Sequence, residues 1–158
     1  MTEDYLQILE ECLKKKMDVL DQIIVLDGKQ YEISSHQPMD FEAYDQTMEE
    51  KGKLIDEVLR LDEGFTTTFE HVKEDLLSHK DIYAKKIAAL QELIRATTDK
   101  SVTIEAQEQR NKTSMEAGLQ MKRNEIRQMK KSTSAALQYY KAMSRINDVD
   151  PQLMDKHH

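Results

Sequence analysis

The sequence has 158 residues, of which 34% are charged and 39% hydrophobic, and its formal net charge is −7. A chain this acidic is poorly suited to nucleic acid or an anionic membrane surface, so we expect no nucleic-acid partner. Its mean hydropathy of −0.73 is too polar for a thick core and suits long helices that each bury one stripe. Four Gly and two Pro supply few turns. We therefore predict an all-α fold of long antiparallel helices, in an elongated bundle or coiled-coil hairpin.

Three features of the sequence predict a cytoplasmic protein without membrane insertion. The single Cys12 has no second cysteine with which to form an internal disulfide, so nothing indicates an oxidising compartment. No run of about 18 apolar residues is present to span a bilayer. The acidic start MTEDYLQILEE lacks the basic and apolar segments of a signal peptide.

The first predicted helix covers residues 2–26. Its apolar stripe follows steps of three, four or seven residues and comprises Leu6, Leu9, Leu13, Leu20 and Ile23. Gly28 stands where helices commonly end. The segment that follows, residues 28–40 (GKQYEISSHQPMD), has Gly, Ser-Ser and Pro close together, which predicts a loop.

A second, long helix is predicted over residues 41–97, with Asp40 as its N-cap. Gly64 lies within the apolar seam of this helix and costs only about 1 kcal/mol relative to Ala. We therefore expect the helix to continue through Gly64, and a break near Gly64, giving four helices instead of three, stays open. The same pattern predicts that His79 packs in the core. The seam comprises Leu54, Val58, Leu61, Phe65, Phe69, Val72, Leu76, His79, Tyr83, Ile87, Leu90 and Ile94.

Residues 97–101 (TTDKS) predict a short turn, and the last helix is predicted over residues 101–146. Within it, residues 107–114 (QEQRNKTS) contain no apolar side chain, which predicts a weakly packed or water-facing stretch of low stability. Pro151 cannot lie in a helix interior, so residues 147–158 are predicted to form an extended C-terminal tail. The length of the chain predicts a single helical domain over residues 1–146.

The sequence contains no residue pattern typical of an active site. The four Gly are scattered and form no phosphate loop, and Cys12 has no clear base partner. His71 and His79 are eight residues apart, too far for a metal-binding pair on one helix. We therefore predict no catalytic, cofactor-binding or metal-binding residue, and expect that the chain is not an enzyme. A histidine phosphotransfer domain, a helical bundle with one phospho-accepting His, stays open as an alternative.

Several segments resemble the FlgN-type flagellar export chaperones of Firmicutes. They are EKGKLIDEVLRLDEGF (residues 50–65), IEAQEQRNK (residues 104–112) and ALQYYKAM (residues 136–143), followed near the end by DPQLMDK. The resemblance extends over most of the chain and is best from Glu50 onward. It implies a cytosolic, non-enzymatic chaperone that binds terminal helical segments of hook–filament junction proteins and delivers them to the export gate.

The resemblance also implies where partners bind. Cargo and gate contacts would come from the C-terminal helix and tail, through Met129, Leu137, Tyr139, Tyr140, Met143 and Ile146. The expected mode is helix-in-groove recognition, in which an amphipathic cargo segment folds onto an apolar stripe. A coiled-coil adaptor that uses the same stripe to self-associate stays open, and the sequence does not determine the oligomeric state.

Overall fold

The computed structural model describes residues 1–130, with side chains through residue 128. Three long helices make up this part of the chain: α1 (Thr2–Ser35), α2 (Phe41–Ser78) and α3 (Ala84–Lys130). No strand occurs among these residues, so the all-α prediction and the count of three helices are confirmed. No helix within residues 1–130 combines the length and apolar character needed to cross a membrane.

The first helix is longer than predicted, and the proposed loop over residues 28–40 is wrong. α1 continues through Gly28 to Ser35, and only residues 36–40 connect it to α2. The extra turns are helical because they have a face to bury: Gln30 and Ser34 lie against α3 with almost no exposed surface. The predicted cap of α2 is confirmed, since Ala43 N–H donates to Asp40 Oδ1 at 3.0 Å.

The second helix passes through Gly64 as predicted, and the alternative of a break near Gly64 is wrong. However, α2 ends at Ser78 and does not reach residue 97. Residues 79–83 form the turn before α3, where the His79 carbonyl accepts from Ile82 N–H at 3.1 Å. No Gly or Pro marks this turn. The turn is just long enough that Tyr83 falls where a continuous helix would place the next apolar residue of the seam. The sequence pattern therefore predicts one helix across the turn.

The predicted turn at residues 97–101 is wrong, because this segment lies inside α3. Its hydroxyl side chains bond to the preceding turn of their own helix. Thr98 Oγ1 donates to the Ile94 carbonyl at 2.9 Å, and Ser101 Oγ donates to the Thr97 carbonyl at 3.0 Å. Such bonds allow Ser and Thr to occupy a helix interior without ending the helix.

The described residues pack as two compact units. The first contains Met1–Gly28 and Glu50–Glu108, and the second contains Lys29–Glu49 together with residues 109–130. The first unit has two buried apolar clusters. One joins Leu6, Leu9, Leu13, Val72, Leu76 and Leu90, and the other joins Val19, Leu20, Ile23 and Leu61.

The second unit has a core of its own, built from methionines and aromatic residues. Tyr44 and Met115 are fully buried, and Met39, Met48 and Leu119 complete the cluster. Ile33 and Phe41 pack against it from the ends of α1 and α2. The prediction of a single domain over residues 1–146 stays a prediction, since residues 131–146 lie outside the described part.

Candidate functional site

The partner-binding residues suggested by the resemblance all fall beyond the described side chains. They are Met129, Leu137, Tyr139, Tyr140, Met143 and Ile146. Their role in binding therefore stays a prediction. Within the described residues, the candidate site lies in the first unit, near the turn that joins α2 to α3.

An apolar groove of about 740 Å³ runs between the C-terminal half of α2 and the N-terminal part of α3. The spacing of its lining residues within each helix places them on one face, in steps of three or four. No residue of α1 lines the groove, but the leucines of α1 share a buried cluster with two lining residues, Leu76 and Leu90. The apolar lining includes Phe65, Phe69, Leu76, Ile87, Leu90 and Ile94.

The apolar side chains that line the groove differ in exposure: Leu76 and Leu90 are buried, whereas the others are only partly covered. Leu77 is 59% exposed and Ile94 is 42% exposed, while Phe65 and Phe69 are half-buried. The two phenylalanine rings lie nearly parallel with centroids 6.3 Å apart, so they form one continuous surface on α2. Clustered apolar side chains left open to water mark sites where a partner binds.

Two lysines line the groove, Lys73 on α2 and Lys80 in the turn that follows it. Lys73 and Lys80 both line it and are both exposed, and neither forms a salt bridge within the described part of the chain. Asp81 lies beside Lys80 at the turn, whereas the α3 side carries the neutral Gln91. The charge around the groove is therefore locally positive on an otherwise acidic chain.

The turn next to the groove is held by Asp75. Its carboxylate accepts hydrogen bonds from the Thr2 hydroxyl at 2.6 Å and from the Tyr83 hydroxyl at 3.0 Å, and His79 Nδ1 lies 2.9 Å away. The Thr2 bond in particular keeps the pKa of Asp75 below its usual value. The prediction that His79 packs in the core is wrong, because α2 ends one residue earlier and the His79 ring is exposed.

A buried charged triad lies in the first unit, with one residue from each helix. Lys51 Nζ on α2 donates to Asp27 Oδ1 on α1 at 3.1 Å and to Glu108 Oε1 on α3 at 2.6 Å. The Lys51 and Asp27 side chains are 4% and 0% exposed. Burial, and then the hydrogen bond with Glu108, raise the pKa of Asp27 to about 7 against the opposing effect of Lys51.

The triad corrects the prediction that residues 107–114 are weakly packed or water-facing. Glu108 binds Lys51, Asn111 is fully buried, and Gln107 Nε2 donates to the Ile24 carbonyl at 3.1 Å. These polar side chains have polar partners on α1 and α2, so the stretch needs no apolar residue to be packed. An apolar-periodicity argument misses such a layer because it counts only hydrophobic residues.

No metal centre or reactive cysteine is found among residues 1–128. No group of three or more His, Cys, Asp or Glu in this range is placed to hold a metal ion. The half-buried Cys12 thiol lies 3.1 Å from the Leu61 carbonyl, and burial raises its pKa, which disfavours the thiolate.

Comparison of the chain with protein-family models, curated proteins and solved structures finds no match. The apolar residues of the groove belong to the seam that the sequence pattern assigned to the core. That assignment is right for the buried Leu76 and Leu90, whereas Ile94 is 42% exposed. The exposed Leu77 was outside that seam, and no sequence signal marked it.

Proposed function

We propose that the chain is a non-enzymatic, cytosolic export chaperone of the FlgN type. It binds terminal helical segments of flagellar hook–filament junction proteins and hands them to the export gate. The identity of the cargo and of the gate rests on the sequence resemblance. The helix-binding activity is supported by one observation, the apolar groove between α2 and α3.

The dimensions of the groove suit a helix. Its lining on α2 extends from Phe65 to Leu77, which is about 18 Å at 1.5 Å per residue, or more than three helical turns. An amphipathic segment that is disordered alone would fold as it buries its apolar face against Phe69, Leu77 and Ile94. Each large apolar side chain that is fully covered in this way contributes about 1.5–3 kcal/mol before the ordering costs.

A titration with the terminal segment of a junction protein tests this function. We expect Leu77→Ala with Ile94→Ala to weaken binding by about 2 kcal/mol or more, the scale of interface hot spots. The melting temperature should hardly change, because both side chains are already largely exposed. Failure of the unmodified chain to bind any junction-protein segment would refute the proposed function.

The same titration examines the C-terminal residues suggested by the resemblance. If they contact cargo, Tyr140→Ala with Met143→Ala should also weaken binding by about 2 kcal/mol or more without loss of stability. If only this second pair matters, the cargo site lies in the C-terminal region and the groove has another role. If stability collapses while the folded fraction still binds, Tyr140 and Met143 are core residues.

A phosphotransfer domain has one observation in its favour. The His79 ring is exposed, and its Nδ1 lies 2.9 Å from Asp75 Oδ1, so that a carboxylate orients the ring. Acid-labile phosphate on the purified protein that disappears in His79→Gln would establish this function. A coiled-coil adaptor would self-associate. Its apparent molecular mass in sedimentation equilibrium would therefore rise with protein concentration.

A further inference from the structure

We propose that the groove selects an amphipathic helix with acidic side chains on one flank of its apolar stripe. This inference rests on the proposed helix-binding function and specifies the chemistry of the partner. It depends on the two lysines that line the groove, Lys73 and Lys80.

The two lysines lie at different places along the groove. Lys73 is on α2, whereas Lys80 is in the turn that follows Ser78, the last residue of α2. Both residues line the groove, so a helix that occupies it can bring carboxylates to both of them.

These lysines differ from those near the middle of the first unit. There, Lys16 Nζ lies 2.7 Å from Asp62 Oδ1, Lys51 binds Asp27 and Glu108, and Lys100 Nζ lies 2.6 Å from Asp21 Oδ1. Each of these lysines thus joins a carboxylate on another helix.

By contrast, neither Lys73 nor Lys80 forms a salt bridge to any residue among the described side chains. A chain with a net charge of −7 has ample carboxylates to pair them. Two lysines beside an open apolar surface are instead available to carboxylates of a partner.

The opposite border of the groove gives the partner an asymmetry. On the α3 side the lining consists of Ala84, Ala88 and Gln91 with apolar neighbours, and it carries no charge. Alanines one turn apart also allow a partner helix to approach α3 closely. The acidic flank of the partner therefore faces Lys73 on α2 and Lys80 in the turn, and its uncharged flank faces α3. Asp81, next to Lys80, opposes part of the attraction at the turn.

The apolar surface supplies most of the affinity, and the lysines supply the selectivity. A single exposed ion pair contributes little, but reversing the sign of two partner charges replaces two attractions with two repulsions. We expect about a tenfold difference in Kd between acidic and basic partners, decreasing as salt rises from about 0.1 M to about 0.5 M.

Two synthetic peptides test the inference. Both are amphipathic helices of about 18 residues with the same leucine stripe, about 27 Å long. One carries Glu at two positions on one flank, and the other carries Lys at those positions. Their Kd values are measured with the full chain, with K73E/K80E, and with the matched control K53E/K112E. Lys53 and Lys112 are exposed, lie outside the groove and form no salt bridge to a described residue.

The expected result is that the acidic peptide binds about tenfold more tightly than the basic peptide. K73E/K80E should abolish or invert this preference, and K53E/K112E should leave it within about twofold. If the two peptides bind with equal Kd values, and both fail to bind Leu77→Ala/Ile94→Ala, the charge selection is overturned. Helix binding by the groove would then still be supported. Binding of neither peptide would overturn the inference, while the junction-protein titration decides the proposed function separately.

Discussion

The groove of the first unit and the core of the second unit are both built from helices with one apolar face, yet only one of them is closed. In the second unit, Tyr44 and Met115 have no exposed surface. In the groove, Leu77 and Ile94 remain about half exposed. An apolar stripe shows that a helix needs cover, but it does not show whether the chain itself supplies that cover.

Polar contacts sharpen the difference between the two regions. In the second unit, Ser34 Oγ donates to Ser114 Oγ at 2.7 Å, and the Arg110 guanidinium lies 4.0 Å from the centroid of the Tyr31 ring. Matched polar pairs of this kind accompany a closed and specific packing. The lysines that border the groove have no such match among the described residues. The polar groups of the closed region therefore have partners within the described residues, whereas the groove leaves apolar side chains and two lysines exposed.

The largest expected effect separates the two regions by stability. Tyr44→Ala should lower the free energy of unfolding by about 3–5 kcal/mol, because it removes a fully buried aromatic side chain. Leu77→Ala should change it by less than about 0.5 kcal/mol, because that side chain is mostly in water. Urea denaturation measures both. Comparable losses in the two variants would show that Leu77 is part of the stabilising core.

The buried triad provides the next test. Lys51→Met leaves two carboxyl groups of the triad without their cation and should cost about 3 kcal/mol or more at neutral pH. Lys53→Met is a matched control, two residues away on an exposed face, and should change stability by less than about 0.5 kcal/mol. Both are measured by chemical denaturation. If Lys51→Met is as harmless as Lys53→Met, the triad does not contribute to stability.

Asp27 predicts a pH dependence with a defined sign. Its folded-state pKa of about 7 lies above the ordinary 3.8, so between these values the folded chain retains a proton that the unfolded chain releases. The contribution of Asp27 to stability therefore falls as pH rises from about 4 to 7, by at most about 1.4 kcal/mol per pH unit.

The measurement is the free energy of unfolding of the unmodified chain minus that of Asp27→Asn across this pH range. The substitution removes the titrating group, so other carboxylates such as Asp75 largely cancel in the difference. A difference that stays constant, or that increases with pH, would contradict the raised pKa of Asp27.

The smallest expected effect comes from two glycines within helices. A Cβ at Gly64 meets nothing within 4 Å, so Gly64→Ala should raise stability by up to about 1 kcal/mol. A Cβ at Gly118 would lie 3.1 Å from Met39 Sδ in the core of the second unit. Gly118→Ala should therefore raise stability less than Gly64→Ala does, or lower it. Thermal unfolding of both variants measures the difference. An equal gain at both sites would show that the second unit is packed more loosely than its contacts indicate.

The sequence carried enough information for the helical class and for some helix positions, but not for the turns. Asp40 was identifiable as a cap because its side chain has a specific local role. The turn at residues 79–83 lacked a signal, since Leu76, Tyr83 and Ile87 keep a helical spacing across it. Conversely, the TTDKS segment suggested a turn because its hydroxyls can bond either to a loop or to the preceding helical turn.

The candidate site was only half visible in the sequence. Phe65, Phe69 and Ile94 were recognisable as apolar seam residues, but whether a seam is covered depends on which helices pack together. That is a tertiary property. The triad was missed for a related reason: Asp27, Lys51 and Glu108 are far apart in the chain, and only packing shows that one cation joins two carboxyls.

The central claim is that the open apolar groove receives the partner helix, and site-specific photocrosslinking tests it most directly. A photoreactive amino acid is placed at Leu77 or, as a control, at Val25, which is also in the first unit and equally exposed at 60% compared with 59%. With a junction-protein terminal segment, position 77 should crosslink strongly and position 25 should not. Equal yields at positions 77 and 25, or crosslinks found only when the probe is at Tyr140, would contradict the claim.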